Sequence, residues 1–341
     1  MGFFVGEAVA YCPGTVVNVA DLFDLPRMEG DLAALEEALL ASVVTEDAFL
    51  SEVAGHLITA GGKRLRPALT LASAAAGGVP ATTDVVQGGV SVELVHLGSL
   101  YHDDVMDEGT SRRGVETVNA RWGNLVAILA GDFLLAKASE IAASLGTEVA
   151  GLLARTIGRL CQGQVGELRT AFDPDRRRAD YLGAIAGKTA SLMAASCRVG
   201  GLTAGLPPAA VAALTDFGEA FGMVFQIRDD VLDVIGTDES LGKAAGQDLV
   251  QGIYTLPVIL ALADPAAGPE LRPLLGTPLD APERDKARDI VRASPAIAAS
   301  AAVAREYADR AAASLDVPEL DGPVAGSLQR LAHRLLEDVA A

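Results

Sequence analysis

The sequence predicts an all-α protein. Apolar residues recur at three- and four-residue spacing in segment after segment, alanine dominates, and aromatic residues make up only 4% of the 341, so strand-forming types are scarce. A third observation is a motif that occurs twice. An apolar helical run ends in Asp-Asp-x-x-Asp at Asp103, Asp104 and Asp107, and another does so at Asp229, Asp230 and Asp233.

Half of the residues are apolar, enough for a sizeable core. No Ser/Pro-rich linker divides the chain, so one large domain over residues 28–341 is expected, preceded by an N-terminal arm of residues 1–27. The net charge of -18 opposes nucleic-acid binding, which requires a basic surface; any phosphate binding has to be local. Cys12, Cys161 and Cys197 are odd in number and lack metal-ligand spacing, which reads as buried thiols in a reducing, cytoplasmic setting. The arm has no positively charged n-region and lacks the Ser or Thr that a myristoylation site carries at position six. No apolar run is expected to reach the ~18 residues of a membrane span.

Taken in order, helices are expected over 31–44, 46–60 and 66–77. The break before the third is Gly61-Gly62-Lys63-Arg64-Leu65-Arg66-Pro67, where the glycines release the backbone and Pro67 suits a first helical turn. Three cations thus stand beside a helix N-terminus, which favours anions. A diphosphate fits there, and so does a plain basic loop on an acidic protein.

The next helix carries the first acids and is expected to end at Gly109. Residues four apart share a helix face, so Asp103 and Asp107 point the same way about 6 Å apart. Carboxylates so placed repel, and the nearest bases, Arg112 and Arg113, come only after the helix. A cation between the acids is expected, and hard oxygen ligands in an open site favour Mg²⁺ shared with substrate phosphates. One such cluster is equally a plain acidic helix end. The second copy, 126 residues on, favours two helices that aim carboxylates into one cavity from opposite walls. Arg112 and Arg113 can fork onto phosphate oxygens.

Residues 121–146 read as one long helix, with Trp122 packing near its start and Asp132 a candidate buried acid. Gly183-Ala-Ile-Ala-Gly187-Lys188-Thr189 has one residue too few between its glycines for a nucleotide phosphate loop, and no strand precedes it. Pro207-Pro208 separates this helix from the one with the second acids. A glycine loop follows, Gly242-Lys243-Ala-Ala-Gly246-Gln247-Asp248-Leu249, and Thr255-Leu256-Pro257 opens another helix. Short helices without a readable motif make up the rest.

Together these motifs resemble the trans (all-E) polyprenyl diphosphate synthase family. The resemblance rests on Gly-Gly-Lys-Arg-x-Arg-Pro, His96 seven residues before Asp103, Asp-Asp-x-x-Asp then Arg-Arg-Gly, Gly-Lys-Thr, Phe-Gln-x-Arg-Asp-Asp-x-x-Asp, and Gly-Lys-x-x-Gly-x-Asp-Leu. It covers about residues 28 to 340. It implies the isoprenoid synthase fold, helices surrounding a deep central cavity, in a homodimer. It further implies that Mg²⁺ held by Asp103, Asp107, Asp229 and Asp233 draws off an allylic diphosphate, leaving a carbocation. Isopentenyl diphosphate, held by Lys63, Arg66, His96 and Arg113, attacks that cation; Arg112 serves the allylic diphosphate, as Lys243 serves substrate. Lys188, Thr189 and Gln226 stabilise the positive charge. On its own, His96 reads as a core histidine.

One departure stands out. Short-chain members carry a lysine just before the Thr-Leu-Pro equivalent, and here the chain reads Gly252-Ile253-Tyr254-Thr255, which points to the medium- and long-chain branch. Two residues between the acids, rather than four, argue against the bacterial farnesyl branch. Gly98 and Ser99, roughly 6 to 7.5 Å deeper along the first acidic helix, are small and are expected to leave room for a tail. The expected product is therefore about C30 to C50 in length, for a quinone side chain, and passes on to membrane enzymes. Alternatives are a geranylgeranyl diphosphate synthase, a terpene cyclase on the same fold, or a non-catalytic partner subunit.

Overall fold

A computed structural model describes residues 9–12, 15–17, 23, 25, 27–237, 245–320 and 322–339. Within the segment expected as an arm, β1 (Val9–Cys12) and β2 (Thr15–Val17) pair as an antiparallel hairpin. Three helices follow, α1 (Met28–Ser42), α2 (Ala48–Thr59) and α3 (Leu65–Ala76), close to their expected bounds. Asp47 starts α2 by accepting the backbone N–H groups of Phe49 and Leu50 at 2.9 and 3.1 Å.

Helix α4 (Thr83–Met106) carries the first acids and stops short of Gly109, with Asp107 as its C-terminal cap. Behind it, β3 (Ser111–Arg112) and β4 (Val115–Glu116) form a two-residue hairpin. Its turn is Arg113-Gly114, both at positive φ. The helix expected over 121–146 is in fact two, α5 (Val118–Trp122) and α6 (Asn124–Ser144). Gly123 breaks it at φ +89°, a conformation that costs a side-chain-bearing residue dearly. Trp122 packs as expected, edge-on to Phe49 and His56 at 6.4 and 5.1 Å between centroids.

Next come α7 (Thr147–Arg169) and α8 (Arg178–Ile185). A π-helical turn, Ala186–Ala190, runs straight into α9 (Ser191–Thr203). The remainder is α10 (Pro208–Ile235), α11 (Gln247–Val250), α12 (Leu256–Ala263), α13 (Ala267–Leu271), α14 (Ala281–Ala293), α15 (Ala296–Ser314) and α16 (Pro323–Arg334). Helix α4 packs on α3, α6 and α9. Helix α10, with the second acids, packs on α9, α15 and the π turn, and α7 packs on the π turn, α6 and α8. The two acidic helices are thus joined through α9 and the turn that leads into it.

Contrary to the expectation from the sequence, α10 is long and apolar enough to cross a bilayer by composition, yet 67% of its most apolar window is buried inside the protein. Phe217, Phe221, Val224 and Ile227 on it are fully buried in the core. The thiols divide. Burial pushes Cys197 up to about 12, whereas Cys161 is exposed rather than buried; the side chain of Cys12 lies outside the described residues.

The π turn sits directly on α7. A Cβ built on Gly163 would meet the Lys188 backbone N at 2.4 Å and the Ala184 carbonyl O at 2.8 Å, and backbone atoms cannot yield as a side-chain tip can. Gly163→Ala is expected to cost about 1–3 kcal/mol by overpacking, measured by urea unfolding. An unchanged unfolding midpoint would show that this contact is slack.

Candidate active site

Asp103 and Asp107 keep their one-turn spacing, because the Asp107 N–H donates to the Asp103 carbonyl at 2.8 Å. Burial pushes the Asp103 carboxyl up. Lys188 pulls it back, and Asp107 pushes it up further. Asp107 is likewise raised by burial, against Lys188 and with Glu167. The Lys188 Nζ donates to Glu167 Oε1 at 2.7 Å. Burial pulls the ammonium down, but Glu167, Asp103 and Asp107 outweigh it and its pKa is raised. The sequence reading missed Glu167; the available signal was an acid among the small residues of Gln162-Gly-Gln-Val-Gly-Glu167 on α7. Asp104 turns the other way. It is buried and holds Arg112, whose Nε and Nη2 both reach Oδ1 at 2.8 Å.

The second wall is a chain of hydrogen bonds. Thr189 Oγ1 donates to Gln226 Oε1 at 2.7 Å, Gln226 Nε2 donates to Asp230 Oδ1 at 2.8 Å, and the Tyr181 hydroxyl donates to Asp230 Oδ2 at 2.6 Å. Lys188 and Thr189 are consecutive in the π turn, so that single turn connects the acids of α4 to Gln226 on α10. Asp229 is the open member of the second cluster, its side chain 42% exposed beside Arg228 at 3.1 Å. Asp233, expected as a metal ligand, is instead buried against the turn at 245–248. Its Oδ2 accepts the Asp248 N–H at 3.4 Å and its carbonyl accepts the Gly246 N–H at 3.0 Å. Lys243 lies outside the described residues.

The basic loop does not present all three of its cations. Arg64, at φ +49°, turns inward and is buried between Glu36 at 2.6 Å and Glu93 at 3.0 Å, with the Ile58 carbonyl also at 3.0 Å. Lys63 stays exposed. Arg66 Nε is buried with no hydrogen-bond partner. Burial lowers this guanidinium to about 10 against the pull of Glu93, with Arg113 adding to the drop. Arg113 reaches across from its hairpin, donating Nη1 to the carbonyls of Leu57, at 2.9 Å, and Gly61. His96 is held well below its usual range by burial and by Arg66, Arg113, Arg112 and Arg64, so it is neutral near pH 7. A half-buried imidazole thus lies in the field of four arginines, one of which carries an orphaned buried donor, an arrangement chemically suited to an anion.

Below the first acids lies a cavity of about 490 Å³ bounded by α4, α6 and α7. Asp103 and Lys188 stand among its lining residues, together with apolar Val95, Leu135, Ile157 and Leu160. Ser99 lines it as well. Gly98 does not: it is where α4 meets α6, and a Cβ there would come within 3.0 Å of the Gly131 carbonyl and 3.1 Å of Leu135. Asp132 is exposed rather than buried, 3.4 Å from His102.

Residues 47–293 match the polyprenyl synthetase family. The nonaprenyl diphosphate synthase of Mycobacterium tuberculosis is 39% identical over 317 residues, which cover 90% of this chain and 94% of that protein. Heptaprenyl diphosphate synthase component 2 of Geobacillus stearothermophilus is 41% identical over 290 residues, 85% of this chain and 90% of that protein. Among solved structures, the polyprenyl synthase of Caulobacter crescentus, complexed with calcium and isoprenyl diphosphate, superposes with a TM-score of 0.85 at 34% identity. The match covers 93% of this chain and 97% of that one.

Glu93 is 1% exposed, and its visible task is to neutralise Arg64 from within the core. Glu93→Gln should destabilise the protein by about 1.5–3 kcal/mol, the worth of a hydrogen bond to a charged group, in a denaturant titration. A loss within error would mean that Glu36 alone satisfies Arg64.

Proposed function

Because the chain belongs to the polyprenyl synthetase family, we propose the following roles for its residues in making medium- to long-chain polyprenyl diphosphates. It is a prenyltransferase, and its substrates are an allylic diphosphate and isopentenyl diphosphate. The observation that carries the assignment is a pair of neighbouring sites of opposite character. One is a crowd of acids around Lys188; the other is the cluster of Arg66, Arg113 and neutral His96.

Asp103, Asp107 and Asp229 hold Mg²⁺, while Asp233 supports the turn at 245–248. The donor set fits: hard carboxylate oxygens, with Asp103 raised by burial, Asp107 and Glu167, and Asp107 raised by burial, Glu167 and Asp104. Among the described residues no three metal-binding side chains converge on a single point. Carboxylates of this kind suit an ion whose shell is completed by water and phosphate oxygens. When bound, the ion neutralises the allylic diphosphate and makes it a leaving group.

Arg112, oriented by Asp104, and Lys188 add fixed positive charge to that diphosphate. Lys63, Arg66, His96 and Arg113 hold isopentenyl diphosphate directly. Its double bond attacks the allylic cation, whose charge faces the oxygens of Thr189 and Gln226. These are preorganised because Asp230 anchors the amide of Gln226. The departing diphosphate takes the final proton.

The product is about C30 to C50 long, and the cavity beneath Asp103 receives its tail; its volume lies within the ~300–1,000 Å³ of ligand sites. Leu125 of α6 is exposed one helical turn before exposed Ile128 and Leu129, and Val165 and Leu168 of α7 are exposed at the mouth of the cavity that Ile128 also lines. This apolar face supports a homodimer. A cytoplasmic enzyme that passes its product to membrane enzymes for a quinone side chain accords with these features.

Purified protein given Mg²⁺, an allylic diphosphate and isopentenyl diphosphate should release chains that separate by length. A cyclic hydrocarbon without isopentenyl incorporation would instead indicate a terpene cyclase. Asp103→Ala or Asp229→Ala should abolish turnover while circular dichroism stays helical, because each variant removes a ligand and relieves repulsion. Near-normal turnover of either at saturating Mg²⁺ would refute the shared-metal site. Ser99→Phe, about 6 Å below Asp103 on the cavity face, should shorten the product to about C20 or less. Gly98→Phe should instead lower stability by forcing α4 from α6, and unchanged product from Ser99→Phe would exclude that face as the tail channel.

A further inference from the structure

Arg176, between α7 and α8, is 4% exposed. Its segment is fastened to residues 252–254. The Phe172 N–H donates to the Gly252 carbonyl at 2.8 Å, the Phe172 ring lies so close to Gly252 that a Cβ there would meet it at 2.4 Å, and Arg176 Nη1 donates to the Tyr254 carbonyl at 3.0 Å. The other two nitrogens, Nε and Nη2, are buried and have no hydrogen-bond partner. They share the edge of a guanidinium that forks onto two oxygens of one anion.

A buried cation with an empty fork is unfavourable unless something fills it. Among the acids that act on Arg176 are Glu167 and Asp230, and both are engaged already, Glu167 by Lys188 and Asp230 by Tyr181 and Gln226. These same two acids flank the proposed diphosphate site, and the Arg176 guanidinium stands 5.6 Å over the Tyr181 ring. The segment it grips, Gly252-Ile253-Tyr254, is where this chain lacks the lysine of short-chain relatives.

We infer that the Nε–Nη2 edge of Arg176 binds phosphate oxygens of the allylic diphosphate, and of the pyrophosphate it becomes, in place of that missing lysine. The inference rests on the function proposed above. It is tested with Arg176→Met, which keeps the length of the side chain and removes the fork. Affinity for inorganic pyrophosphate with Mg²⁺, measured by calorimetry, and the KM for the allylic substrate should each worsen about tenfold. The KM for isopentenyl diphosphate should hold; losing the bond to the Tyr254 carbonyl should lower the thermal midpoint of the unliganded protein, and the rise in midpoint that pyrophosphate gives the wild type should be lost as well. Ile253 is the half-buried member of its triplet, and adding Ile253→Lys to Arg176→Met should restore pyrophosphate affinity. Unchanged pyrophosphate affinity in Arg176→Met, whatever its thermal midpoint, would overturn the inference, leaving Arg176 a clamp on Tyr254 or the host of a buried water only. A wild-type protein that binds pyrophosphate but elongates nothing would refute the proposed function and leave the Arg176 contact standing.

Discussion

The Lys188 ammonium, 2.7 Å from Glu167 and in the field of Asp103 and Asp107, is the contact that ties the acids of α4 and α7 to the π turn. Burial and neighbouring acids push the Asp103 and Asp107 carboxyls up, and the Lys188 ammonium pulls both back down. Its chain neighbour Thr189 is bonded to Gln226, so a displacement of the π turn reaches α10 as well. One ammonium does not balance all of these acids, and the remaining negative charge makes this side of the cavity receptive to further cations. The cluster of Arg66, Arg113 and His96 has the reverse bias. On the roles proposed above, two substrates with the same diphosphate head are told apart by that difference, one received with its counter-ions and the other by protein cations.

Several charged residues that look functional in the sequence hold the frame instead. Arg64 and Asp104 each sit inside a motif, and each points into the protein, toward Glu93 and Arg112 respectively. Their burial is tolerable because the pairs are hydrogen-bonded. In each motif, neighbours in sequence divide the work: Asp104 positions the arginine while Asp103 faces the cavity.

That division marks the limit of what could be read from sequence. Helical period and one-turn spacing are local, so the all-α class, the helices carrying the acids and the shared face of Asp103 and Asp107 were all legible. The direction of a loop residue is not local. Arg64 turns inward at its own φ of +49°, and its partners lie 28 and 29 residues away. Glu167 escaped notice because it is a single acid in no repeated pattern. Asp233 follows Asp229 by one turn, as Asp107 follows Asp103, yet a turn that arrives later in the chain covers it. Counting back along α4 gave the depth of Gly98 and Ser99, but adjacent positions differ by about 100° in direction. Only the position of α6 decides that Ser99 meets the cavity and Gly98 meets a backbone.

The π turn at Ala186–Ala190 also constrains how this chain can change in length. Such a turn accommodates one residue beyond the regular α-helical repeat. Losing that one residue would restore an ordinary helix and leave the faces of α8 and α9 where they are, at the cost of the widened turn that fits against α7. Losing a residue from the regular helix on either side would instead rotate α9 by about 100° relative to α8. The face that α9 applies to α3, α4 and α10 would then turn away from all three at once. A deletion in the short connection at 204–207 would strain only one link. Between Arg178 and Thr203, therefore, a change in length should be admitted at the π turn and nowhere else.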